Sequence, residues 1–280
     1  MSNSGIDALT SPTLKHLREH WWNDEFTGFL KETLRPRPGN RILDVGCGTG
    51  IGEVSIARLQ LSQIRLYGVD LVVDNVIAAQ VKARSHNIRA GFAVADACRL
   101  PFVSDSFDST YCVAVLQHIR DVSAAVQEFA RVTRPTGRIV AVEPDNAARY
   151  WHSSAPAGMR AFEAATRFFA ALARLSDSGG DPSVGPKLPT LFVQHGIEPE
   201  SVRLFPVSQA TLGAPEAAVW KDRRARVQRL MDTAPDGARA EGRAYLDALV
   251  AYEAEAAKAG PRFVEIQNTM LFATVGQKSG

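Results

Sequence analysis

The sequence has no long apolar stretch and almost no excess of charge, and each shortage narrows what the protein can be. It contains no run of about 18 apolar residues, so it predicts no membrane span. A net charge of +2 over 280 residues gives no electrostatic reason to expect a nucleic-acid or membrane partner. Residues 1–10 are polar and without an apolar core, so they predict no secretory signal. These shortages favour a cytoplasmic protein.

Cysteine is scarce as well. The three cysteines are Cys47, Cys98 and Cys112, and their spacings fit no zinc-binding pattern, so no metal site is predicted. An odd number also argues against a framework of disulfides. Because all three fall on predicted buried or ligand-facing positions, we expect them to be reduced thiols.

The strongest positive signal is a glycine-rich turn that follows an apolar strand. Residues 41–50 read Arg-Ile-Leu-Asp-Val-Gly-Cys-Gly-Thr-Gly, and a helical pattern begins at Ile51. Glycine has no Cβ, so such a turn lets a ligand come close to bare backbone. The spacing is G-x-G-x-G and differs from the G-x-G-x-x-G of nicotinamide and flavin proteins. The turn therefore predicts a ligand site of a different kind from a dinucleotide site.

Acidic residues also end the next two apolar runs. Asp70 follows the run 64–69, and Asp96 follows the run 90–95. A carboxylate at the end of a second parallel strand can accept hydrogen bonds from both hydroxyls of a ribose. The alternative for Asp70 is a cap on the helix that begins near Val73, and the preceding glycine turn favours the ribose role.

Taken in order, these motifs resemble the class I S-adenosylmethionine-dependent methyltransferases, in their small-molecule (type 11-like) branch. The segment 106–119 adds a further match, since Phe-Asp, an apolar strand and Val-Leu-Gln-His follow one another there. The resemblance covers roughly residues 40–145. It implies S-adenosylmethionine as cofactor, with its methionine part on the glycine turn and its adenine at Asp96 and the following amide. The implied contact residues are Asp44, Gly46, Cys47, Gly48, Asp70, Leu71, Asp96, Ala97 and Val113.

The expected fold is α/β, because apolar strands alternate with helical segments from 41 to 143 and so predict a parallel sheet covered on both faces. With the resemblance, this becomes a Rossmann-like seven-stranded sheet, mostly parallel with an antiparallel last strand, plus an added helical cap. The predicted strands are 41–45, 64–69, 90–95, 108–113, 138–143, 202–207 and 263–275.

The regular alternation stops after Glu143, and the later helices have the position of a cap. We expect a single domain whose added helices lie at the mouth of the cofactor cleft and close over a small substrate. The predicted parts are a disordered tail at 1–12, a core with an N-terminal helix at 13–146, cap helices at 147–196, and edge strands at 197–280 with a helical insertion at 214–259. In the N-terminal helix, Trp21 and Trp22 are assigned to the core in preference to a cofactor contact.

Catalytic residues are poorly specified, because methyl transfer from a sulfonium depends mainly on alignment and needs a base only for some acceptors. Glu143, at the end of the fifth strand, and His118, after the fourth, are the candidates for acid–base help. A structural alternative stands beside each: a helix cap or loop contact for Glu143, and a hydrogen bond that shapes the turn for His118. Asn146, Tyr150 and Trp151 are candidate contacts to the methyl acceptor.

One further absence narrows the function. Enzymes of this family that methylate exocyclic amines of bases or glutamine amides carry an Asn/Asp-Pro-Pro-aromatic turn after the fourth strand, where this chain has Val-Ala-Val-Leu at 113–116. We therefore predict methyl transfer to O, N or C of a small molecule, in secondary metabolism, with a homodimer left open. The alternatives are an RNA or protein methyltransferase, disfavoured by the weak charge, and a nucleotide-binding oxidoreductase or non-catalytic binding protein, disfavoured by the glycine spacing.

Overall fold

The computed structural model describes residues 21–58, 63–146, 148–175 and 179–280, and the predicted tail at 1–12 lies outside them. The described residues fall into two compact units. The first contains the residues up to Asp145 together with Gly180–Phe205 and Leu271–Gly280, and the second contains Asn146–Gly179 and Pro206–Met270.

The first unit is built on a mostly parallel sheet with the strand order β3-β2-β1-β4-β5-β8. The order reverses between β1 and β4, which are parallel neighbours, and ligands of such sheets bind at that point beyond the carboxyl ends of the strands. The strands are β1 Arg41–Val45, β2 Arg65–Asp70, β3 Ala90–Val94, β4 Phe107–Val113, β5 Thr133–Asp145, β6 Trp151–Ser153, β7 Ile197–Leu212 and β8 Val264–Lys278.

Eight strands are described, where the sequence predicted seven within the same Rossmann-like fold. The extra strand is β6, three residues long, which pairs antiparallel with the beginning of β8 in the second unit. The bounds of β1 are as predicted, whereas β5 begins at Thr133 and not at 138.

The α-helices of the described part alternate with the strands as expected for the α/β class. They are α1 Asp24–Leu34, α2 Ile51–Ala57, α3 Val73–Ser85, α4 Val122–Val132, α5 Pro156–Leu175, α6 Leu188–Gln194, α7 Ala217–Asp232 and α8 Asp236–Ala259. None of these described helices combines the length and the apolar character needed to cross a membrane.

Helix α4 shows how the sequence specifies these elements. The Asp121 side chain accepts the Ala124 N–H at 2.9 Å, which satisfies one of the free amides at the start of the helix. Ala125, Val126 and Phe129 recur at helical spacing and are buried against the sheet together with Ile139 of β5. These apolar residues at helical spacing therefore specify both the helix and the face with which it packs against the sheet.

The second unit is mainly helical and has its own apolar core. Helices α5, α7 and α8 bury Phe168, Trp220 and Tyr252, with the Trp220 and Tyr252 rings 5.0 Å apart edge to face. Glu265 is buried there too, and Arg223 holds its carboxylate with two hydrogen bonds of 3.0 and 2.7 Å. Arg223 of α7 therefore pairs with a buried carboxylate and is not simply a solvent-exposed charge.

Candidate active site

A cavity of about 300 Å³ lies in the first unit, beyond the carboxyl ends of β1 to β4. That volume is at the lower end of the range for small-molecule sites. Its position is the one predicted, next to the reversal of strand order. All the residues predicted to contact a cofactor line it: Asp44, Gly46, Cys47, Gly48, Asp70, Leu71, Asp96, Ala97 and Val113.

The glycine turn after β1 forms one wall and has a backbone that suits glycine. Gly46 and Gly48 have φ values of 76° and 53°, in the left-handed region. A Cβ on Gly46 would lie 2.3 Å from a methyl of Val115, so no larger residue fits there. The Gly46 and Cys47 amides both donate to the Val69 carbonyl, which ties the turn to the end of β2.

Asp70 links the turn to α3. Its Oδ2 accepts the Gly48 N–H at 2.9 Å, while its Oδ1 accepts the Val72 N–H at 2.9 Å and the Asn75 amide at 3.1 Å. A carboxylate has about four acceptor positions, so these three bonds leave room for one more donor. The two alternatives drawn from the sequence, a contact at the helix start and a contact to a ribose, are therefore compatible.

Asp96 is more open. It is exposed, and its Oδ1 accepts the Cys98 N–H at 2.9 Å, which shapes the loop after β3. Its Oδ2 accepts no hydrogen bond from a described residue, so it can receive a donor from a ligand.

A buried carboxyl pair lies behind the turn. Asp44 is 4% exposed and accepts the Tyr111 hydroxyl at 2.7 Å. Burial raises the pKa of Asp44 to about 7, against the opposing effect of the Tyr111 hydrogen bond. Glu53 of α2 is 1% exposed, and neither of its oxygens accepts a hydrogen bond from another described residue. Burial, and then the charge of Asp44, raise the pKa of Glu53 well above its usual value.

Glu143 lies behind the cavity wall and is fully buried. Its Oε1 accepts the N–H groups of Val115 and Leu116, both at 2.8 Å, and its Oε2 accepts that of Gln117 at 3.2 Å. The carboxyl therefore caps the 3₁₀ helix Leu116–His118 that follows β4. Burial raises the pKa of Glu143 to about 7, although the three amides act in the opposite direction. The structural alternative accounts for this geometry, and a catalytic role of Glu143 stays a prediction.

Residues 43–141 match the family model described as a methyltransferase domain. They include the glycine turn and all three strand-end acids. This part of the chain is therefore similar to a methyltransferase domain.

Curated methyltransferases are similar to part of this chain. An O-methyltransferase of Pyrenophora dematioidea is 37% identical over 108 residues, which are 38% of this chain and 40% of that protein. This chain thus matches less than half the length of that curated relative.

Solved structures share the fold. The YcgJ protein of Bacillus subtilis has a TM-score of 0.56 at 20% identity, covering 92% of this chain and all of the other. A phosphoethanolamine N-methyltransferase of Haemonchus contortus has a TM-score of 0.51 at 17% identity, covering 90% of this chain and 52% of the other.

Aromatic side chains complete the wall of the methyltransferase cavity. Trp21 and Trp22 both line it and are half-buried, and the Trp22 ring packs edge-on against Phe26 at 5.2 Å. The Trp21 indole N–H is buried and has no acceptor among the described residues. The sequence favoured a core role for these tryptophans, and helical spacing alone did not reveal that they border a cavity.

His118 and the predicted acceptor contacts lie in different units. His118 ends the 3₁₀ helix after β4 and lines the methyltransferase cavity. Asn146, Tyr150 and Trp151 belong to the second unit, where the Tyr150 N–H donates to the Asn268 side chain at 3.0 Å. Their contact with a methyl acceptor stays a prediction.

The pKa of Asp44 predicts opposite pH responses of stability and ligand binding. Its folded pKa of about 7 is above the value of 3.8 expected in the unfolded chain, so the ligand-free protein should lose stability as pH rises from about 4 to about 7. A cationic ligand beside Asp44 favours the carboxylate, so its affinity should rise up to roughly fivefold from pH 6 to pH 7. Thermal melting and calorimetry across this range, with Asp44→Asn as control, measure both. A flat affinity profile in the parent would contradict the prediction.

Proposed function

We propose that this chain is an S-adenosylmethionine-dependent methyltransferase that transfers a methyl group to an oxygen, nitrogen or carbon of a small molecule. The charge of the cavity carries the proposal. Three carboxylates, Asp44, Asp70 and Asp96, line it, and the described lining residues include no lysine or arginine. Such a cavity favours a ligand with sulfonium and ammonium groups and disfavours the pyrophosphate of a dinucleotide.

The residues present fit this cofactor. A Cβ on Gly48 would meet nothing within 4 Å, so the backbone of the turn is bare on that side. Asp70 retains an acceptor position suited to a ribose hydroxyl, and Asp96 retains one suited to the adenine amino group. We assign the ribose to Asp70, the adenine to Asp96 and Ala97, and the methionine part to Gly46 and Gly48.

S-adenosylmethionine supplies a methyl group that its sulfonium already activates. The chain's own residues align the methyl group with its acceptor and exclude water from the site. Trp21, Trp22 and Val113 give the cavity apolar walls, and Glu143 fixes the turn that carries His118 to its edge. The His118 imidazole can hold or accept a proton of the methyl acceptor.

Similar proteins support the same class of reaction. The relative from Pyrenophora is named an O-methyltransferase. The Haemonchus enzyme was solved with S-adenosylhomocysteine and phosphomonomethylethanolamine, a small acceptor. Because this chain matches only part of its curated relatives, the acceptor is to be found by experiment.

Methyl-labelled S-adenosylmethionine tests the proposal. The purified protein is incubated with panels of small phenols, acids and amines, and in parallel with total RNA and with proteins, and label is followed into each fraction. We expect label in small-molecule products and release of S-adenosylhomocysteine. Label confined to RNA or protein would overturn the small-molecule assignment.

Asp70→Ala should weaken S-adenosylmethionine binding by about 1–3 kcal/mol, because a charge-assisted hydrogen bond is lost. Since Asp70 also holds Gly48 and Val72, the melting temperature should fall with it. The control is Asp74→Ala, which removes an exposed carboxylate in the first turn of α3. Calorimetry that finds equal affinities for the two variants would remove the ribose assignment.

A further inference from the structure

A second pocket lies at the opposite edge of the sheet in the first unit, at the amino ends of β1, β4 and β5. Its volume is about 220 Å³. The end of α1, the turn before β1 and the first residues of β5 surround it. The lining residues are Leu34, Arg35, Arg37, Asn40, Asp108, Ser109, Arg134, Thr136, Arg138 and Gln277. The methyltransferase cavity is acidic, whereas this pocket is strongly basic.

The carboxylates near the pocket are already committed. Asp108 accepts the backbone N–H of Arg41 at 2.7 Å and pairs with Arg134 at 2.5 Å. Glu200 pairs with Arg138. Four lining arginines against these two carboxylates leave a formal charge of +2.

Arg35 and Arg37 carry that excess charge. Neither guanidinium forms an ion pair with a residue that the structure describes. Arg138 is 9% exposed, and its pKa is lowered first by burial and then by the charge of Arg35, so these two cations lie close enough to repel one another. An anion between them would remove the repulsion and replace the missing hydration.

Two residues that line the pocket have backbone conformations that are unfavourable for residues with a Cβ. Arg35 ends α1 with φ 45° and ψ 52°, and Thr136 has φ 62°, a region that non-glycine residues rarely adopt. The Asn40 side-chain oxygen accepts the Arg37 N–H at 2.8 Å and so orders the turn. Strained residues at the rim of a concave basic site are typical of functional positions.

We propose that this pocket is a binding site for a small phosphorylated molecule, separate from the methyltransferase cavity. A phosphate carries a charge of about −2, which matches the excess of +2. The planar guanidinium forks of Arg35 and Arg37 can each donate two parallel hydrogen bonds to phosphate oxygens. The proposal rests on this pocket alone and stands whether or not the methyl-transfer proposal holds.

Calorimetric titration with pyrophosphate at constant ionic strength tests the site. We expect saturable binding to the parent protein and at least roughly tenfold weaker binding to the double variant Arg35→Gln/Arg37→Gln, from the loss of charge-assisted hydrogen bonds. The matched control is Arg84→Gln/Arg89→Gln, which removes two exposed arginines elsewhere in the first unit and should bind as the parent does. Thermal melting confirms that each variant is folded.

Two results would overturn the proposal. One is equal pyrophosphate affinity in the parent and the pocket variant, or an equal loss in both double variants, since a general effect of net charge would then explain the binding. The other is tighter binding of a single-stranded oligonucleotide than of pyrophosphate, with the same dependence on Arg35 and Arg37, since the occupant would then be a nucleic acid.

Discussion

Replacing Glu143 with alanine should lower the free energy of unfolding by about 3–5 kcal/mol and abolish cofactor binding. The amides of Val115, Leu116 and Gln117 would lose their acceptor, at about 1–3 kcal/mol for each that is left unsatisfied away from water. The turn that carries His118 would then lose its shape. Denaturant unfolding measures the first effect, and calorimetry with S-adenosylmethionine measures the second.

Glu143→Gln separates this structural role from catalysis. The amide oxygen of glutamine can still accept, but its NH₂ group faces backbone donors, so stability and cofactor affinity should both fall, by less than in the alanine variant. A general acid or base gives a different pattern: turnover falls ~10²-fold or more while affinity and stability stay unchanged. That pattern would contradict the structural assignment.

Gly46→Ala should also have a large effect, about 2–5 kcal/mol on stability. The new Cβ would lie 2.3 Å from Val115, and overpacking of this kind costs about 1–3 kcal/mol. The left-handed φ of 76° adds about 1–2 kcal/mol for a residue with a Cβ. Because the turn must move to relieve the contact, S-adenosylmethionine binding should be lost as well.

Gly196→Ala is the matched control for the cost of placing a residue with a Cβ at a left-handed φ. Gly196 has a φ of 69°, but a Cβ there would meet nothing within 4 Å. It should therefore lose only about 1–2 kcal/mol and keep its cofactor affinity. Equal losses in the two variants would show that contact with Val115 does not determine the conformation of the turn.

The cofactor side of the molecule could be predicted because its signals are local. An apolar strand, a glycine turn and an acid at the end of each next strand lie within short segments, and parallel strands bring their carboxyl ends to one edge. The bounds of β1 and the grouping of Asp44, Asp70 and Asp96 around one cavity follow from this.

The features that the sequence did not predict depend on contacts between distant segments. β6 is three residues long and exists because it pairs with β8, which no periodicity in 151–153 reveals. The start of β5 was placed too late, because Thr133 already pairs with Phe107 ahead of an irregular segment, and the regular pairing with β4 resumes only at Arg138. Glu53 was missed because its burial depends on how α2 packs on the sheet, and its only signal is one acid in an otherwise uncharged helix.

The role of Glu143 and the basic pocket also arise from long-range assembly. Glu143 meets its amide donors 26–28 residues away, across the end of β4. The arginines of the pocket come from the end of α1, the turn before β1 and the start of β5, and they converge only because the strands share an amino edge.

Calorimetric competition between S-adenosylmethionine and NAD⁺ tests the central claim most directly. The acidic cavity predicts saturable binding of S-adenosylmethionine that tightens from pH 6 to pH 7, with little or no binding of the dinucleotide. Tighter binding of NAD⁺ than of S-adenosylmethionine at neutral pH would contradict it.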